Sequence, residues 1–253
     1  THHRRVPSMA RIAAVIYGVI AYTVFFLTFL YAIAFVGNYY VPLSIDFPRG
    51  TFSPAALLID AVLLGLFAIQ HSGMARQGFK KWWTKTIPAP IERSTYVLIA
   101  SLVLDLLFWQ WRPMDESIWT VQNTAGAYAL QGLCFLGWLI VLTSTFMVSH
   151  FDLFGLRQVA IYAKGQPYKP VEFKTRMLYR IVRHPLYTGF LIAFWATPKM
   201  TLGHLVFAIA TTGYILVAIQ LEEKDLTAAF GTTYENYREQ TSMLVPLAKR
   251  SRT

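Results

Sequence analysis

Arg183, His184, Pro185 and Tyr187 fall together at the head of an apolar segment, and Glu222 with Glu223 closes the next one. A guanidinium, an imidazole and a phenol in so short a run suit a carboxylate or another anion. Two adjacent carboxylates suit an ammonium group or hydroxyls. Pro185 belongs in the first turn of a helix, where its missing N–H is of no consequence. Arg183 and His184 then precede that turn, beside the positive end of the helix dipole. An antiparallel hairpin built from the two apolar segments returns its ends to one side, so that the five polar side chains converge. The competing reading for the basic residues and Tyr is interfacial anchoring, their usual role beside a membrane helix; two adjacent acids at a helix C-terminus, which prefers cations, fit it less well.

The elements that must carry these residues follow from composition. Of 253 residues, 55% are hydrophobic and 14% charged, against about 25% charged in a soluble domain. A spanning helix needs about 20 apolar residues. The spans read from the sequence are Arg11 to Val36, Ser53 to Gln70, Ser94 to Trp111 and Thr124 to Val148, then Pro185 to Thr197 and Leu202 to Leu221. The fifth is too short to cross fully, and it forms a hairpin with the sixth whose tip lies near Pro198 and Lys199. The expected fold is therefore all-α, a polytopic integral membrane bundle of four spanning helices plus a C-terminal hairpin, five to six membrane segments in all. The apolar runs are continuous, without the alternation of a membrane β-barrel. The basic N-terminus leads into an apolar run too long for a removable signal.

Of the 23 Lys and Arg residues, all but Arg49, Arg112 and Lys199 fall on the side that holds both termini. Positive charge marks the cytoplasmic face, so the expectation is a plasma (inner) membrane protein, multi-pass, with both termini inside. The net charge of +10 is then a topology signal, spread over several loops, and nucleic acid is not an expected partner. Cys134 is the only cysteine and excludes an internal disulfide. The long connections, His71 to Arg93 and Ser149 to Arg183, lie on the basic side and hold most of the polar chemistry. The chain divides into an N-terminal helical scaffold, residues 1–149, and a C-terminal core, residues 150–253.

Other polar residues compete for a role. His71 ends the second span and His150 follows the fourth, both on the basic side. Each is a candidate catalytic group, or else an interfacial side chain with a structural hydrogen bond. Asp152 contacts substrate or caps a turn, and Arg93 reaches the pocket or anchors to head groups. Asp60 and Asp105 lie inside apolar spans, where ionisable groups are paired or functional. A hydrogen bond between helices accounts best for both. No close His or Cys spacing supports a metal.

"RHPLYTGF", an apolar hairpin and "LEEKDLTAAFGTTYENYREQTSMLVP" together resemble the C-terminal half of the isoprenylcysteine carboxyl methyltransferase superfamily. "AIQHSGMAR", "ERSTYVL" and "SHFDLFGLRQ" are similar to the branch that contains bacterial methanethiol S-methyltransferases and NnrU-type membrane proteins. The resemblance implies S-adenosylmethionine as methyl donor, a small thiol as acceptor, and S-adenosylhomocysteine and a thioether as products. It implies no Rossmann domain, in keeping with the lack of a GxGxxG-bearing βαβ unit. By the same resemblance Arg183, His184 and Tyr187 hold the cofactor's amino-acid portion, and Glu222 and Glu223 its ammonium or ribose hydroxyls. Tyr179 and Leu186, beside Pro185, flank the adenine. The thiolate is the nucleophile, and His71, His150, Tyr187 and Arg183 are candidates to generate or stabilise it. The alternatives are a larger lipid-like acceptor, a non-catalytic NnrU-type binding or transport protein, and a reductase resembling sterol reductases. Oligomeric state is left open.

Overall fold

The computed structural model describes residues 8–171 and 175–247; Arg4, Arg5, Lys174, Lys249, Arg250 and Arg252, counted above as basic-side charges, lie outside them. The long helices are α1 (Ser8–Gly37), α2 (Pro54–Ala75), α4 (Ala89–Gln110), α5 (Thr124–Val148) and α9 (Leu202–Phe230). Shorter helices are α3 (Gln77–Trp83), α6 (His150–Leu153), α7 (Leu156–Ala163), α8 (Pro185–Trp195) and α10 (Thr232–Gln240). A 3-10 turn, Met177–Arg180, precedes α8. The chain is a multi-pass helical membrane protein: α1, α2, α5 and α9 are each long and apolar enough to cross a bilayer.

α4 is not in that set, although the sequence reading made it a full span. It nonetheless runs the whole height of the bundle. At one end Tyr96 reaches His71 near the end of α2. At the other, the Trp111 indole N–H donates to the Ile45 carbonyl in the connection after α1 (3.1 Å). Its 22 residues make about 33 Å of helix, enough for the hydrocarbon core. Its polar residues are absorbed by neighbouring helices. Thr28 on α1 donates to Asp105 (3.0 Å), the interhelical bond expected for that residue. Asp60 of α2 accepts from the Arg112 amide (2.9 Å).

Boundaries shift in two places that matter. α2 continues to Ala75, which puts His71 inside a helix. α9 continues to Phe230 and stops at Gly231, whose φ of +54° lies where glycine is favoured. Glu222 and Glu223 therefore sit within α9, two turns before its end, and do not close it as the sequence reading had them.

The first leg of the hairpin packs mainly on α5, and less on its own partner α9. Gly137 and Gly189 make this possible: a Cβ on Gly189 would lie 2.7 Å from the Gly137 carbonyl oxygen and 2.8 Å from the Val141 amide. α8 has 11 residues, about 16 Å, so it crosses only part of the bilayer, as expected. α9 lies against α2, and α1 against α4.

The end away from the polar motif is closed by a plug that the sequence did not announce. β1 (Ser117–Thr120) and β2 (Lys199–Thr201) pair antiparallel across the hairpin tip. The Leu202 and Gly203 amides donate to the Glu116 and Met114 carbonyls (2.8 and 2.9 Å), and Thr201 bonds Asp46. Beneath it Phe35, Leu107, Phe108, Trp111, Phe194 and Phe207 form the main apolar core. At the opposite end Gly155 turns the chain into α7 at φ +89°, so close to α4 that a Cβ would lie 2.8 Å from the Ser94 amide.

The glycine contact yields the first prediction. Gly189→Ala places its methyl against α5 backbone that has no room to move, and overpacking of this kind costs about 1–3 kcal/mol. A lowered midpoint of thermal unfolding in detergent, with Gly65→Ala in open space unaffected, is the expected result.

Candidate active site

The residues that opened the sequence reading do meet. Pro185 starts α8 and His184 is the residue before it. Glu223 lies across from them on α9, buried with Arg183 and His184. Arg183 Nε donates to Glu223 Oε1 at 2.7 Å, and His184 Nε2 donates to the same oxygen at 2.9 Å. Arg183 Nη1 donates to the carbonyls of Arg238 (3.1 Å) and Thr241 (2.5 Å). The Arg183 and His184 amides donate to Ser242 and Met243 (2.8 and 3.1 Å), and Thr188 Oγ1 donates to Leu244 (2.8 Å). The segment after α10 thus straps the start of α8 to the bundle. The amides before α8, which the sequence reading left open to an anion, are bonded to that strap, and Arg183 is engaged within the protein.

Glu222 differs from Glu223. Its carboxylate is 44% exposed and lies 3.9 Å from His184 Nδ1. The Tyr187 phenol lies against it, with Tyr96 and Tyr214 in electrostatic range. His184 and Tyr187 face each other at 5.7 Å between ring centroids. Tyr179 sits in the preceding turn, and its carbonyl accepts from the Tyr237 hydroxyl (2.5 Å). Burial, then Glu222 and Tyr237, push the Tyr179 phenol above its ordinary pKa, so it stays a neutral donor. Leu186 is half-buried in the first turn of α8.

His71 approaches from α2. Its ring stacks on Phe67 at 5.1 Å, and the Tyr96 hydroxyl lies 3.1 Å from Nδ1 and 3.2 Å from Nε2. Tyr214 of α9 contacts Phe67 edge-on and bonds Ser72 at 3.0 Å. The Arg93 guanidinium lies 5.3 Å from the centre of the Tyr96 ring. Helices α2, α4, α8 and α9 therefore each contribute an aromatic or imidazole ring to one region. Tyr96, Tyr214 and Ser72 were not singled out in the sequence; a tyrosine inside an apolar helix looks like any core aromatic.

His150 is not brought to this region. Its ring stacks on Phe146 at 4.2 Å. One nitrogen bonds Tyr22 and the other Thr145, both at 2.8 Å. Burial holds its pKa below the usual value, so a neutral ring with both nitrogens engaged ties α6 to α1 and α5. Asp152 beside it takes Arg157 at 2.8 Å and also bonds Gln158 and Tyr168.

The buried ion cluster makes a contrast that unfolding experiments can read. Arg183→Met leaves Glu223 with one partner fewer in a dry site, and breaking such a pair costs about 3–5 kcal/mol. Glu222→Gln acts on a half-exposed group and should change stability by no more than about 0.5 kcal/mol. Equal losses of thermal stability in the two variants would contradict the division between them.

Comparison with known proteins gives consistent matches. The NnrU protein family matches residues 58–245. The chain is 56% identical to a Mycobacterium tuberculosis protein named methanethiol S-methyltransferase, over 94% of this chain and 98% of that one. It is 55% identical to a protein of the same name from Crocosphaera subtropica, over 94% and 93%. Nurim from Mus musculus is 29% identical over 68% of each chain. No solved structure matches.

Proposed function

This chain belongs to the NnrU protein family and to the methanethiol S-methyltransferases, and we propose that it methylates methanethiol, or a similar small thiol, with S-adenosylmethionine, giving dimethyl sulfide and S-adenosylhomocysteine. The observation that carries the reading is the exposed Glu222 carboxylate. It stands on a rigid buried base and beside Tyr179 and Tyr187, within a chain more than half identical to enzymes of that name.

The residues present fit such a cofactor. Glu222 is a carboxylate with spare acceptor capacity, suited to a pair of ribose hydroxyls. Tyr179 and Tyr187 are neutral donors beside it, and Leu186 supplies apolar surface for a purine. The cofactor, when bound, supplies a methyl group activated by a positively charged sulfur. Arg183 and Glu223 serve as its support, fixing His184 and the first turn of α8 through the 2.7 and 2.9 Å bonds. We assign residues 150–253 the nucleoside end of the cofactor and residues 1–149 the scaffold and the acceptor thiol.

We assign His71 the acceptance of the thiol proton. It is the imidazole that shares the aromatic region with Tyr187, and Tyr96 and Phe67 fix its ring. A thiolate is a far better nucleophile than its thiol. The rings of Phe67, Tyr96 and Tyr214 exclude water around it, which keeps a small anion reactive and aligned with the donor.

The site faces the cytoplasm in this reading, with both termini inside. Arg49, Arg112 and Lys199 lie at the plug end, whereas Arg76, Lys80, Lys81, Lys85 and Arg93 lie at the site end. That asymmetry follows the positive-inside rule. The exposed Trp82 beside Lys81 on α3 suits the membrane interface.

Purified protein given S-adenosylmethionine and methanethiol should release dimethyl sulfide into the headspace. Glu222→Ala should abolish measurable product. His71→Ala should lower kcat about 10²- to 10⁴-fold, the range of a general base, while S-adenosylhomocysteine still binds. Full turnover in both variants would refute the assignment.

A further inference from the structure

A cavity of about 340 Å³ opens at the site end between the start of α4 and the α6–α7 segment. Its wall includes Lys80, Glu92, Arg93, Asp152, Gln158 and Tyr162. Asp152 is neutralised by Arg157. The other three charges are not matched: among the described residues Lys80, Arg93 and Glu92 have no ion-pair partner within 4 Å. Burial, and then the charge of Arg93, push the Lys80 ammonium below its ordinary pKa, and the Glu92 carboxylate offsets this only in part. Gln158 donates from Nε2 to Asp152, while its Oε1 is buried with no donor among the described residues. Two unmatched cations, one unmatched carboxylate and one orphaned carbonyl oxygen are complementary to a zwitterion.

Arg93 belongs to this wall and to the active site at once, since its guanidinium lies on the Tyr96 ring that holds His71. Arg183 is the other arginine that a carboxylate could seek, and it is engaged with Glu223, Arg238 and Thr241. We infer that this cavity is a subsite for an α-amino-acid head group, Arg93 and Lys80 taking the carboxylate and Glu92 with Gln158 Oε1 taking the ammonium. This deepens the proposed function and rests on it: the head group is that of the methyl donor, and the Glu222 end takes the nucleoside. The roles divide differently from those that the sequence resemblance implies, because the first-turn arginine is committed to holding the fold together. The Arg93 guanidinium, planar and forked, pairs with a carboxylate through two parallel hydrogen bonds.

Binding measured by calorimetry on the full chain in detergent tests this without turnover. The probes are S-adenosylhomocysteine, its decarboxylated analogue, and 5′-methylthioadenosine, which lacks the amino-acid end. Arg93→Met should weaken S-adenosylhomocysteine about 10- to 100-fold, the scale of a charged hydrogen bond. It should leave the decarboxylated analogue and methylthioadenosine at their wild-type affinities, which also shows the variant to be folded. Glu92→Gln should weaken both amine-bearing ligands and spare methylthioadenosine. Equal affinity of wild type and Arg93→Met for S-adenosylhomocysteine, or equal weakening of all three ligands, overturns the subsite while leaving the methyl-donor reading in place. Failure of wild type to bind any of the three overturns both.

Discussion

One carboxylate oxygen organises the working end of this molecule. Glu223 Oε1 receives both Arg183 and His184, in surroundings where an unpaired charge would be expensive to keep. Nη1 of Arg183 runs to the peptide carbonyls at 238 and 241. A single buried charge cluster thus joins α8, α9 and the segment beyond α10. A buried ion pair is weak grounds for claiming stability by itself, since an apolar replacement is often as stable. What it does supply here is registration. The three elements are held in one register, and that register leaves Glu222 and Tyr187 facing the same space.

Much of this was legible in the sequence because membrane physics narrows the choices. Every backbone group in the hydrocarbon must be bonded within its own helix, so apolar runs translate into helices. α5 matches its expected range, and α8 begins at Pro185 where a proline at the first helical position belongs. The convergence of the RHPxY and EE residues followed from hairpin geometry alone. What was not legible depends on partners distant in sequence. The strap at Ser242 to Leu244 shows no pattern, since it bonds through its backbone. Which glutamate is buried turns on the rotation of α9, and two neighbouring acids look alike until the helix is placed. Arg93 reads as an anchor until the cavity beside it is seen.

The opposite end has a different physical logic. There the peptide groups of loops and short strands would face lipid or water unless they found each other. β1, β2 and the amides of Leu202 and Gly203 pair across two connections, the Asp115 amide reaches a third at the Gly50 carbonyl, and the aromatic core beneath seals them from below. Asp46 accepts from Thr201, Asp105 from Thr28, and one oxygen of Asp60 from an amide. Acids inside apolar spans can therefore be scaffolding, and their presence does not by itself mark a site.

α9 runs unbroken from that plug to the working end. It is clamped at Thr201 and carries the two acids some twenty residues on. Each residue of an α-helix turns the chain by about 100°, so the angular phase of Glu222 and Glu223 is counted out from the clamp. One residue inserted between them would swing the buried acid away from Arg183 and aim another side chain into its place. The length of this rod is therefore as strictly determined as any residue type in it.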